Sequence, residues 1–267
     1  MEQFVVSARK YRPQAFEAVV GQSHITDTLL KSVANDHLAQ ALLFCGPRGV
    51  GKTTCARILS KVINGGADLT DEELALNIFE LDAASNNSVD DIRRLIDQVR
   101  FAPQTGKFKV YIIDEVHMLS QQAFNAFLKT LEEPPAHAIF ILATTEKHKI
   151  IPTILSRCQI FDFKRITVDD IAAHLAFVAQ KEGVTAEPEA LHMIAEKADG
   201  ALRDALSLFD RMISFSGNEL TYEQVVNVLD ILDYNYFFRT VVLANEVNYP
   251  RLAYVLNVED LKECIEI

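Results

Sequence analysis

Two short stretches carry residue types at spacings that do phosphate chemistry. Gly46-Pro47-Arg48-Gly49-Val50-Gly51-Lys52-Thr53 fits the spacing G-x-x-x-x-G-K-[ST], with an apolar run, Ala41 to Cys45, before it and a helix-compatible run, Thr54 to Ile63, after it. A triphosphate presents several anionic oxygens, so such a loop must turn successive backbone N–H groups inward, and glycine permits that approach at Gly46, Gly49 and Gly51. Amides at the helix start add partial positive charge, and Val50 and Thr54 complete the contact set. Lys52 is placed to reach the β- and γ-phosphates and the Thr53 hydroxyl to ligate Mg²⁺. The second stretch, Val110-Tyr111-Ile112-Ile113-Asp114-Glu115, is an apolar strand ending in two carboxylates. Strand alternation sends the two side chains in different directions, which suits Asp114 to the shell of Mg²⁺ and Glu115 to the attacking water. An acidic pair after a strand is usually a solvated turn; coupled to a phosphate loop, the odds reverse. No N-K-x-D guanine-reading motif is present, which favours ATP over GTP.

These residues need a frame that brings strand ends together. Short apolar strands are expected at Ala41–Cys45, Asn77–Leu81, Phe108–Ile113, Ala138–Ala143 and Gln159–Phe163, with helical patterns between them at Ser23–His37, Thr54–Ile63, from Ser88 through Arg100 and from Ser120 to Pro134-Pro135. A short helical turn is expected at Asp71–Leu76. Strands alternating with helices imply an α/β fold with a parallel five-stranded sheet covered on both faces. From Thr167 the period changes: Thr167, Glu187-Pro188 and Thr221 look like helix starts and Gly183, Gly200 and Gly217 like helix ends, the signature of a small all-helical domain. The expected division is 1–166, 167–232 and a remaining 233–267.

Composition bounds the rest. With 267 residues, 49% of them hydrophobic, the chain can bury a substantial core. The start carries Glu2 and no long apolar run, unlike a signal peptide, and no stretch approaches membrane-spanning length. Cys45, Cys55, Cys158 and Cys264 lack paired spacing, which argues for a reducing, cytoplasmic setting and against a zinc site. Residues 1–166 balance 19 basic against 19 acidic side chains, whereas 167–267 carry 7 against 18, so the whole formal charge of −11 lies in the last part. Nucleic acid, if bound, must meet the first part. Arg93, Arg94, Arg100, Lys107, Lys109, Lys147, His148 and Lys149 are candidates for a DNA-facing surface, and a solvated helix face is an equally good account of them.

Thr144-Thr145 at a strand end, Ser156-Arg157-Cys158 after a helix and Gly200-Ala201-Leu202-Arg203-Asp204 at a helix start, in that order behind the two chemical stretches, resemble sensor 1, the arginine finger and sensor 2 of AAA+ ATPases of the clamp-loader clade. RKYRPQAF, VVGQ, GPRGVGKTT, ELDAASNNSVDDIR, VYIIDEVHMLS, FLKTLEEPP, ILATTE and ILSRC are similar to signatures of the gamma/tau family of bacterial DNA polymerase III, over about Val5 to Asp233. The resemblance implies that Thr145 senses the γ-phosphate, that Arg203 contacts it from a helical lid, that Arg157 reaches into a neighbouring subunit's site, and that Lys10–Pro13 with Val19–Gln22, including Tyr11, Arg12 and Val20, hold the adenine. It further implies a DNA-replication ATPase within the DNA-directed DNA polymerase III holoenzyme, a nucleotidyl transferase assembly, acting with other clamp-loader subunits in a ring, with a sliding clamp and with primed DNA, and with no membrane. Taken without the family, Thr145 reads as a strand-end hydroxyl, Arg157 as half of a surface ion pair, Arg203 as a helix-surface partner, and the polar cluster Glu80, Asp82, Asn86 and Asn87 as a helix cap.

Two departures limit the carry-over. The family carries a four-cysteine zinc module after the phosphate-loop helix, whereas Asn64–Leu76 is short and has no cysteine. From about Asn245 to Ile267 no family signature stands out, so the chain looks like the motor portion, without most of the collar that assembles the ring. Competing readings are a non-hydrolysing spacer subunit, which the intact Gly51-Lys52-Thr53 and Asp114-Glu115 oppose, and a branch-migration helicase motor, which would share the core motifs but less of ELDAASNNSVDDIR.

Overall fold

The five apolar strands do form one parallel sheet, in the order β2-β3-β4-β1-β5, with β1 Ala41–Cys45, β2 Ile78–Asp82, β3 Lys109–Asp114, β4 Ala138–Thr144 and β5 Gln159–Asp162. The computed structural model describes residues 5–65, 73 and 76–229; most of the helical turn expected at Asp71–Leu76, and all of 233–267, lie outside them. Because every strand runs the same way, the loops after β1, β3 and β4 open at one edge of the sheet, where open α/β sheets hold ligands. β1 and β4 are buried along their whole length. The apolar runs of β1, β3 and β4 hide a period of two: Leu43, Tyr111, Ile113, Phe140 and Leu142 face one core, while Leu42, Phe44, Val110, Ile112 and Ile141 face the other.

The first core is covered by α4 (Val89–Val99), through Ile92 and Leu95, and α5 (Gln121–Glu132), through Phe124, Phe127 and Leu131. The second is covered by α2 (Ser23–Ala34) and α3 (Lys52–Ile63), through Ile25, Leu29, Ile58 and Leu59. Caps set the helix starts as the sequence indicates: Ser88 and Asp91 form a reciprocal capping box on α4, and Ser120 accepts from the Ala123 amide on α5. Two short helices complete this part, α1 (Ser7–Lys10) and α6 (Pro152–Leu155).

The remainder is α7 (Val168–Glu182), α8 (Pro188–Lys197), α9 (Leu202–Ser216) and α10 (Tyr222–Leu229), packed around Leu175, Ile194, Phe209 and Met212. It is not purely helical: the two-residue strands β6 (Thr185–Ala186) and β7 (Glu219–Leu220) pair in parallel, a bridge too short to show as a period in sequence. The N-terminal segment also belongs with this core. Ala8, Tyr11 and Val20 pack against it, the Ser7 amide donates to Asp210 Oδ2 at 2.7 Å, and Lys10 Nζ reaches Glu182 at 2.6 Å. Residues at both ends of the sheet domain, Tyr11 and Ile166, thus strap the helical unit over the sheet edge.

Candidate active site

Backbone geometry explains the glycines of the loop. Gly46 has φ +146°, and a Cβ there would stand 2.4 Å from the Phe163 carbonyl oxygen. That carbonyl cannot retreat cheaply, because the Phe163 amide donates to the Cys45 carbonyl at 2.7 Å. Gly49, at φ +75°, is where the lid meets the loop: a Cβ would lie 3.0 Å from Ala201 Cβ, and the Arg203 amide donates to the Gly49 carbonyl at 3.4 Å. The helix start falls at Lys52, two residues earlier than the apolar pattern suggests, with Gly51 as an N-cap that offers no side-chain acceptor. The first amides of α3 are therefore left for an anion.

Lys52 is 6% exposed and donates to the carbonyls of Gly46 at 2.8 Å and Pro47 at 2.7 Å. Burial lowers its pKa, opposed by the charges of Glu115 and Asp114. The Thr53 hydroxyl donates to Asp114 Oδ2 at 2.7 Å, joining α3 to the end of β3.

The two carboxylates diverge for a reason the alternation argument did not contain. Glu115 has left the strand and sits in the left-handed region, φ 47° and ψ 44°, a conformation that costs a non-glycine residue about 1–2 kcal/mol. The turn carries its Oε2 to the end of β4, where it accepts from the Thr145 hydroxyl at 2.9 Å and the Thr145 amide at 3.3 Å. The Glu115 amide in turn donates to Asp114 Oδ1 at 3.0 Å. Such strain at a polar site is the kind of outlier that accompanies function.

A single cavity joins this constellation to the lid. Tyr11, Arg12, Val20, Gly49, Val50, Gly51, Lys52, Thr53, Thr54, Asp114, Glu115 and Arg203, each singled out in the sequence, all line it. Ala8, Val19, Ile166, Leu202 and Leu206 add aliphatic lining to it. Arg48, a loop residue with no distinctive spacing, lines it too and escaped the sequence reading. Four cationic side chains, Arg12, Arg48, Lys52 and Arg203, therefore meet two carboxylates around one cleft, which suits a polyanion. Gly46 contributes only its carbonyl to Lys52, and Thr145 lies behind Glu115 rather than on the wall.

Arg157 is elsewhere. Its guanidinium pairs with Glu132 Oε1 at 2.6 Å and donates to the Thr153 carbonyl at 2.6 Å, beyond the C-terminus of α6. Most of the basic candidates are likewise paired: Arg93, Arg94 and Arg100 bridge to acids three residues earlier on α4, Lys147 to Asp162 and Lys149 to Glu146. That is how a solvated helix face looks. Asp82 accepts from the Ala84 amide and the Ser85 hydroxyl, closing the turn after β2 rather than capping α4, whose cap is Ser88 with Asp91, while Glu80 takes a bidentate pair from Arg57.

A phosphate loop, a carboxylate turn beside a strand-end threonine and a helical lid on this sheet define the AAA+ class of ATPases. Thermotoga maritima RuvB, the Holliday junction branch migration motor, shares the fold with a TM-score of 0.64 at 20% identity, over 91% of this chain and 84% of its own. Residues 21–167 match the family described as DNA polymerase III, delta subunit, and residues 170–218 that described as DNA polymerase III clamp loader subunit, ATPase lid domain. The DNA polymerase III subunit tau of Bacillus subtilis (strain 168) is 52% identical over 231 residues, 82% of this chain and 41% of its own length. The subunit gamma of Buchnera aphidicola subsp. Schizaphis graminum (strain Sg) is 37% identical over 267 residues, 95% of this chain and 74% of its own. The chain belongs to the DNA polymerase III gamma/tau family of clamp-loader subunits. It spans less than half the length of the tau subunits it matches, 41% in Bacillus subtilis and 42% in Escherichia coli (strain K12). Among the described residues no helix is long and apolar enough to cross a membrane.

Proposed function

We propose that the chain is the ATP-hydrolysing motor of a clamp loader, binding ATP between the phosphate loop and the lid and using its turnover to place a sliding clamp on primed DNA in the cytoplasm. The convergence that carries this reading is Lys52, the Thr53–Asp114 pair and the Thr145–Glu115 pair at one sheet edge, under a lid that supplies Arg203. Residues 1–166 would serve as the nucleotide-binding domain, 167–232 as the lid and 233–267 as the start of a collar.

The aliphatic lining of the cleft, with Tyr11 and Val20, suits a purine, and its cationic side chains suit a triphosphate. Thr53 and Asp114 are the hard oxygen donors suited to Mg²⁺, which keeps most of its remaining shell as water and phosphate oxygen. When bound, that ion would neutralise charge on the phosphates. Glu115 orients the attacking water and takes its proton, Lys52 and Arg203 hold the phosphates, and Thr145 reports the terminal phosphate to β4. Arg157 acts on a neighbouring subunit's site. The reaction assigned here is ATP hydrolysis alone; DNA synthesis belongs to the holoenzyme. The test is the ATPase rate of the full-length protein, with and without its partner subunits, clamp and primed DNA. Turnover that rises only with all of them present is expected, and turnover indifferent to clamp and DNA would refute the loading role.

A further inference from the structure

His117, two residues beyond Glu115, has its side chain 6% exposed and both ring nitrogens facing carboxylates. Nδ1 lies 3.0 Å from Thr144 Oγ1 and 3.3 Å from Glu115 Oε2, and Nε2 lies 3.3 Å from Glu146 Oε1. The Thr144 hydroxyl is itself engaged, accepting from the Glu146 amide at 3.0 Å. On its outer side Glu146 is fastened by Lys149, at 2.8 Å from Oε2 and 2.9 Å from Oε1. The hydrogen bond of the ring is the one between Nδ1 and the Thr144 hydroxyl, and Glu115 and Glu146 face the two ring nitrogens as charged neighbours.

The geometry points to His117 as a positioning residue for Glu115, a role that rests on the assignment of Glu115 to the attacking water. Thr145 hydrogen-bonds the Glu115 oxygen that Nδ1 faces at 3.3 Å, and the Nδ1 hydrogen bond to Thr144 holds the ring beside it at the end of β4. With the ring removed, Glu115 keeps only its Thr145 hydrogen bonds and gains rotamers that face away from the water. A misplacement of about 1 Å at a reacting group can cost about 10²-fold in rate. The bland account is a buried histidine satisfied by packing, and it predicts a different result.

The test is steady-state ATPase and nucleotide binding of the full-length protein assembled with its partner subunits. His117→Asn places its amide near the Nδ1 position and His117→Gln near the Nε2 position. We expect turnover to fall at least tenfold further in His117→Gln than in His117→Asn, with nucleotide Kd within about threefold of wild type in both. In a Glu115→Gln background, His117→Gln should cause no further loss. Equal losses in the two variants, or losses that track a falling melting temperature, would show packing alone and overturn the proposal. If Glu115→Gln is inactive while His117→Gln turns over normally, the positioning role fails and the assignment of Glu115 stands. Wild-type turnover by Glu115→Gln would overturn both.

Discussion

The hydroxyl of Thr53 donates to Asp114 Oδ2 at 2.7 Å, across the gap between the first turn of α3 and the end of β3. One oxygen comes from the phosphate-loop element and the other from the carboxylate element, so the contact joins the two chemical stretches of the sequence. Hard oxygen donors at that separation suit an octahedral ion that retains several waters. Thr53→Val keeps the side chain's shape and Asp114→Asn its volume, and each removes one donor. Both should weaken Mg²⁺-dependent ATP binding by tenfold or more in calorimetry while shifting affinity little in EDTA. Unchanged affinity in Mg²⁺ would remove the pair from the metal site.

Lys52 and Glu115 should separate binding from chemistry. In the proposed mechanism Lys52 would meet phosphates already present in the ground state, whereas Glu115 would act on a water whose proton moves only in the transition state. Lys52→Ala should abolish measurable nucleotide binding, and Glu115→Gln should bind ATP within a few fold of wild type yet turn over at least 100-fold more slowly. Normal affinity in Lys52→Ala would contradict the phosphate-loop assignment.

Gly46 offers a test of the loop's backbone. A Cβ at this φ of +146° would stand 2.4 Å from a carbonyl oxygen fixed between β1 and the segment after β5. Gly46→Ala should lower stability by at least about 2 kcal/mol in urea titration and lose nucleotide binding with it. Gly183→Ala is the control, with φ +71° and nothing within 4 Å, and carries the dihedral strain alone. Equal losses in the two would show that the crowding at Phe163 does not matter.

Much of this site was legible because it is local in sequence. Gly46 to Thr53 and Asp114-Glu115 each fit within one turn or strand end, and parallel strands deliver them to one edge. The left-handed conformation of Glu115 was not legible, since glutamate has no preference for that region and tertiary contacts to Thr145 hold it there. Arg48 was missed for a similar reason: an arginine in the variable part of the loop looks free until the fold places it on the same cavity as Lys52 and the lid's Arg203. His117 carries no spacing signal at all, because its partners Thr144 and Glu146 come from another strand end. The N-terminal segment's docking on the lid rests on Ser7, Tyr11, Glu182 and Asp210, residues far apart in the chain and ordinary in type.

The cysteines separate structural thiols from reactive or metal-bound ones. Burial raises Cys45 to about 11, and Cys55 and Cys158 to about 12. A pKa raised that far leaves roughly one thiol in a thousand or fewer ionised at pH 8. In a Cys264→Ser background a chromogenic disulfide reagent at pH 8 should label the native chain at least about 100-fold more slowly than the chain in guanidinium. Elemental analysis should find well under one zinc per chain, since a cysteine cage needs four convergent thiolates. Labelling within seconds, or stoichiometric zinc, would contradict the burial described.

Arg157 separates a ring motor from a self-sufficient ATPase. In this chain its guanidinium is committed to Glu132 at 2.6 Å and lies outside the cavity that holds Lys52 and Arg203. The side chains of the pair are 33% and 46% exposed, and an ion pair at such a site is worth about 0–1 kcal/mol. An arginine supplied in trans to a phosphoryl-transfer site is worth about 10³–10⁵ in rate, or roughly 4–7 kcal/mol. If Arg157 acts in trans as proposed, leaving Glu132 would cost little beside what the neighbour's transition state would return. Arg157→Ala should leave the isolated chain's ATP affinity within about threefold of wild type and reduce turnover at least 100-fold in the assembled loader. Glu132→Gln should leave assembled turnover unchanged or higher. Mixing Arg157→Ala chains with Glu115→Gln chains should restore part of the hydrolysis, because an intact Glu115 then meets an intact Arg157 across a subunit boundary. Tenfold weaker ATP binding by Arg157→Ala monomers would mean that the arginine acts in cis, and the trans assignment would fall.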